Sequence, residues 1–90
     1  LAPLNVENSS FINNVYPNPT NESLKVSLKS GLVVEDIYFV DLSGKALKPK
    51  SVLTSNQGLE INVSNLKEGI YILEIVSDKE VDKIKVVIER

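Results

Sequence analysis

The sequence predicts an all-β antiparallel sandwich of about seven strands, and three observations carry that prediction. Valine and isoleucine together number twenty against two alanines, and a branched Cβ stiffens χ1 and suits a pleated surface better than a helix. Apolar residues recur with period two in short runs, as in strands with one wet face. Turn residues separate those runs, and no stretch of helical period competes with them. A small barrel is the main structural rival.

Ninety residues supply one core and no second one. The opening residues Leu1 to Ser10 are polar, with small residues and one proline. Residues 1–14 therefore read as a linker from a preceding domain and residues 15–90 as the sandwich. The chain holds no methionine, even at position 1, which fits a piece cut from a longer precursor.

A short first strand ends at Val15-Tyr16, where Pro17-Asn18-Pro19 imposes a stiff, extended turn. Leu24, Val26 and Leu28 then alternate with Lys25, Ser27 and Lys29, giving a strand with one buried face. After the break at Ser30-Gly31, Ile37 and Phe39 share one face, and Tyr38 and Val40 the other. Asp41-Leu42-Ser43-Gly44 fits a type I turn, with Asp in first position to accept backbone amides and Gly in fourth to take a positive φ. Lys45 to Leu53 carries three lysines and Pro49, the composition of a single edge strand. Thr54-Ser55-Asn56-Gln57-Gly58 is a polar turn. Leu59, Ile61 and Val63 face inward next, followed by Tyr71, Leu73 and Ile75, and last by Ile84, Val86 and Ile88 in a strand from Val81 to Glu89.

Several function classes start far behind. Without histidine or cysteine the chain lacks the commonest general base, the favoured imidazole ligand and any thiolate nucleophile, so no enzyme activity and no cofactor are expected. Glu35, Asp36, Asp41, Asp78 and Glu80 could offer oxygens to calcium but lack EF-hand spacing, and read as solvated turn acids. A net charge of −2 with scattered lysines offers no basic stripe for nucleic acid. No apolar run approaches the roughly 20 residues of a membrane helix.

Two segments stand out. Leu66-Lys67-Glu68-Gly69-Ile70-Tyr71 places a leucine, a glycine and a strand-opening tyrosine as in the tyrosine corner of immunoglobulin-like sandwiches, where the phenol bonds a backbone group upstream. If Tyr71, Leu73 and Ile75 point inward, then Ile70, Ile72 and Val76 point outward, joined by Val87 beside Lys83, Lys85 and Glu89. Such an apolar outer stripe calls for a partner, or for cover by the N-terminal segment or the parent protein.

Four motifs in register resemble the C-terminal sorting domain, type A, of the type IX (Por) secretion system of Bacteroidota. They are Tyr16-Pro17-Asn18-Pro19, Asp41-Leu42-Ser43-Gly44-Lys45, the run from Leu66 to Ile75, and Lys83-Ile84-Lys85-Val86-Val87-Ile88. The resemblance implies an immunoglobulin-like fold and a secretion address that sends a cargo protein through the outer-membrane translocon. It also implies passage through the periplasm to the cell surface or medium, shuttle proteins as partners, and cleavage by a surface sortase. The family's recognition determinants carry over to Gly69, Tyr71, Lys83, Lys85, Val86 and Val87, and the apolar outer stripe independently adds Ile70, Ile72 and Val76, with Tyr16, Pro17, Asn18, Pro19, Asp41, Gly44 and Leu66 as structural motif residues. The alternative is a cell-surface adhesion or carbohydrate-binding module, for which Tyr38 is the best candidate aromatic.

Overall fold

The computed structural model describes residues 11–55, 58–78 and 80–90. Its elements are β1 (Ile12–Tyr16), β2 (Ser23–Leu28), β3 (Val34–Val40), β4 (Ala46–Leu47), β5 (Ser51–Ser55), β6 (Gly58–Asn62), β7 (Gly69–Ser77) and β8 (Val81–Ile88). They form two four-stranded sheets in the orders β1-β2-β6-β5 and β4-β3-β7-β8, with every paired strand antiparallel. This is the sandwich that the alternation predicts.

Each strand buries the face its alternation assigns. Leu24 and Val26 from β2, Ile61 from β6, Phe39 from β3, Leu73 and Ile75 from β7, and Val86 and Ile88 from β8 are almost completely shielded from water. A fully buried side chain of this size contributes about 1.5–3 kcal/mol over an exposed one, which is ample to hold the strand register. Phe39 meets the Tyr71 ring edge-on, with centroids 6.1 Å apart and planes at 88°, an arrangement that the ring quadrupoles favour.

Two expectations need correction. The single edge strand over Lys45 to Leu53 is divided: β4 is two residues long and pairs with β3, whereas β5 pairs with β6 in the opposite sheet. The chain changes layer at Lys48-Pro49-Lys50, where Pro49 has no N–H to continue a ladder, and the described residues form eight strands, in keeping with the sandwich of about seven. The linker boundary also moves. Phe11 and Ile12 lie in the core and β1 pairs with β2, so residues 11–14 belong to the sandwich. The linker reading of residues 1–10 and the centre of the turn at Asn56-Gln57 lie outside the described residues.

The Asp41 turn forms as its residues require. The Gly44 amide donates to the Asp41 carbonyl at 3.0 Å, with Gly44 at φ +90°. The Asp41 carboxylate accepts from the Ser43 hydroxyl at 2.7 Å and from the amides of Ser43 and Lys45 at 2.9 and 3.0 Å. These bonds, the Ser43 hydroxyl foremost, hold its carboxyl below the usual value.

One side of the sandwich is closed by polar groups that alternation does not reveal. Asp82 is buried, and its carboxylate accepts from the amides of Phe11 and Ile12, both at 3.1 Å. It therefore ties the edge of one sheet to the edge of the other. Further along β8, the Asn18 side chain donates to the Lys85 carbonyl at 3.2 Å and accepts from the Val87 amide at 3.0 Å. Thr20 continues the cover: its amide donates to the Val87 carbonyl and its carbonyl accepts from Glu89, at 2.9 and 2.8 Å. The Tyr16-Pro17 and Asn18-Pro19 peptides are both cis.

Candidate functional site

The candidate site is the outer face of the β7–β8 hairpin, which is built from the inside out. On the inner face Tyr71 is buried and its phenol donates to the Lys67 carbonyl at 2.6 Å, the tyrosine corner expected from the sequence. That bond fixes the entry of β7, and Leu66 is buried beside it. At this same open end of the hairpin, where Gly69 pairs with Ile88, the Arg90 guanidinium donates to the carbonyls of Asn21, Val63 and Leu66, while its amide donates to Glu68 at 3.0 Å. Carbonyls from two interstrand connections thus converge on one cation, and β8 is anchored at its end.

Strand pairing then sets the outer face. Ile70 lies opposite Val87, Ile72 opposite Lys85, Glu74 opposite Lys83 and Val76 opposite Val81. On the other side of β7, Val40 pairs with Ile72, Tyr38 with Glu74 and Asp36 with Val76. Because side chains alternate across a strand, each of these rows projects away from the core.

The face has two unlike parts. In its middle, charges meet one another: Lys48 pairs with Asp36 and lies 6.0 Å from the centre of the Tyr38 ring, and Lys83 approaches Glu74 at 3.8 Å. The Lys48 ammonium draws the Asp36 carboxyl below its usual value, and the Glu74 carboxylate beside the Tyr38 phenol raises that phenol above its usual 10.0. Toward the start of β7 the character changes. Ile70 and Ile72 are 41% and 37% exposed, with half-buried Val40 and Val87 at their sides. Lys85 stands at the border of this patch, and its ammonium has no partner among the described residues.

The predicted site residues therefore separate. Ile70, Ile72, Val87 and Lys85 come together in the patch, with Gly69 at its rim. Lys83 lies on the same face within the belt of paired charges, and Val76 stands beside Asp36 at the far end of that belt. Tyr71 and Val86 point into the core and support the patch from beneath, with no surface for a partner to touch. Among the motif residues, Asn18 covers the β8 edge and Asp41 and Gly44 make the hairpin turn. Tyr16 is 47% exposed on the other sheet. Sequence reasoning misses Val40 as part of the patch: alternation turns it outward, but only the β3–β7 register sets it beside Ile72. It also misses Asp82, whose acidic character argues against the burial it has.

Three of the five calcium candidates are engaged elsewhere. Asp36 pairs with Lys48, Asp41 closes its turn, and the Asp78 carboxylate accepts from the Val33 amide at 3.2 Å. Among the described residues no group of three acids converges as a metal site would need.

Compared with known proteins, residues 14–89 match a family model described as the secretion system C-terminal sorting domain. No curated protein and no solved structure matches the chain.

Proposed function

The chain belongs to the secretion system C-terminal sorting domains, a signal for type IX secretion, and from that premise we propose that the machinery reads the folded hairpin through the patch formed by Ile70, Ile72, Val87 and Lys85. A sorting domain of this kind implies a cargo precursor and export to the cell surface or the medium. The matched family is one of sorting signals.

The observation that carries the proposal is the contrast within one sheet face. Charged neighbours of the patch neutralise each other, while the patch keeps two exposed isoleucines and one ammonium that has no partner among the described residues. A contiguous apolar surface with a charged border is the composition of a docking site, where apolar burial gives affinity and the charge fixes orientation. The rest of the reading follows from the family resemblance: the precursor crosses the periplasm, a shuttle protein and the translocon bind the hairpin, and a surface sortase removes the domain from the cargo.

A periplasmic reporter joined ahead of residues 11–90 in a bacterium with a type IX system tests this. The reporter is expected at the surface or in the medium, with a mass that has lost the domain. Retention in the periplasm would overturn the sorting role, and export with the domain still attached would overturn the cleavage.

A further inference from the structure

The four sheet edges are treated differently. The β8 edge is covered by Asn18 and Thr20. Strand β1 has a register shift between Ile12 and Asn14, gives its first amide to Asp82, and has its Val15 amide taken by the Asn14 side chain at 3.0 Å. Strand β4 is only two residues long, between Lys45 and the Lys48-Pro49 pair. These are the devices by which natural sheets prevent edge pairing. Strand β5 has none of them within its own residues, Pro49 and Lys50 standing just ahead of it. It runs Ser51-Val52-Leu53-Thr54-Ser55 without charge or proline, pairs with β6 in unbroken register, and ends its sheet with Leu53 at 67% exposure.

We propose that β5 is a homodimer edge, on which a second copy of this chain adds its own β5 antiparallel to make one continuous eight-stranded sheet. The sequence selects this occupant because it is self-complementary about its centre. Antiparallel pairing on a two-fold axis at Leu53 sets Leu53 against Leu53, Val52 against Thr54 and Ser51 against Ser55. That matches apolar with apolar, β-branched with β-branched and hydroxyl with hydroxyl. No like charges meet, because Lys50 of one copy lies at the far end of the pair from Lys50 of the other. Covering or blunting the remaining edges makes the association stop at two rather than grow into a fibre. The hairpin patch lies on the opposite sheet and stays open in the dimer.

The test is sedimentation equilibrium of the full chain up to about 1 mM, the weak end of measurable association. The mass is expected to rise from the 9.9 kDa of one chain toward twice that value. Leu53→Lys and Leu53→Glu should each weaken association at least about tenfold, by losing leucine burial and opposing like charges. Mixing the two variants should restore it, because position 53 faces itself. Leu53 is exposed, so both variants should keep the wild-type thermal midpoint. A chain that stays monomeric at every concentration, a dimer indifferent to both substitutions, or variants that fail to rescue each other would overturn the proposal.

Discussion

The outer face of the second sheet holds two regions of similar backbone and opposite chemistry. In the belt of Asp36, Tyr38, Lys48, Glu74 and Lys83, each charge finds another within the domain. In the patch of Val40, Ile70, Ile72, Val87 and Lys85, apolar surface and one cation are left over among the described residues. Exposed ion pairs contribute little to stability, so the belt's main effect is to make that part of the surface indifferent to partners. On the proposed reading, a recognition face is marked as much by the neutrality of its surroundings as by its own composition.

Both regions rest on the same core, and removing that support should damage them together. Leu73→Ala, beneath the middle of β7, is expected to cost about 2–5 kcal/mol through lost burial and the cavity left behind. A lower urea midpoint at unchanged slope would show it. Asp82→Ala should follow at about 2–3 kcal/mol, because two buried amides lose their acceptor. Hydrogen exchange should show Phe11 and Ile12 opening first; uniform exchange across the domain would mean that the carboxylate ties nothing locally. Tyr71→Phe keeps the ring packing against Phe39 and deletes only the bond to Lys67, for about 1 kcal/mol, with β7 and the patch above it loosened at Gly69 and Ile70.

The smallest effect belongs to the belt. Glu74 raises the Tyr38 pKa, so the interaction favours the protonated phenol. Its stabilisation is present below the ordinary value of 10.0 and is lost as pH rises through the higher folded value. Glu74→Gln should bring the Tyr38 titration, followed by phenolate absorbance, back toward its ordinary range while leaving export unchanged. Impaired export in that variant would show that the belt is read along with the patch.

Much of this was legible in the residues themselves. Period-two alternation places Leu24, Phe39, Ile61, Leu73 and Val86 inward, because burial energy decides the face of each strand. Tyr71 announces its corner by its spacing from Leu66 and Gly69. The same alternation turns Ile70, Ile72 and Val87 outward. What stayed hidden depends on contacts between distant segments. Asn18 reads as ordinary turn chemistry, and only the fold brings its amide to the backbone of β8, 69 positions away at Val87. Asp82 looks like a solvated acid until the amides of Phe11 and Ile12 meet it. The division of Lys45 to Leu53 into β4 and β5 escapes alternation because each piece is short and Pro49 reads equally as an edge residue or as a crossing between layers.

The central claim is that the folded patch is what the secretion machinery reads. Its most direct test is export of the reporter fusion carrying Ile70→Lys and Ile72→Lys together, with the thermal midpoint of the isolated domain measured alongside. The account predicts a domain that melts close to wild type and a reporter retained in the cell. A folded double variant exported at the wild-type level would contradict it.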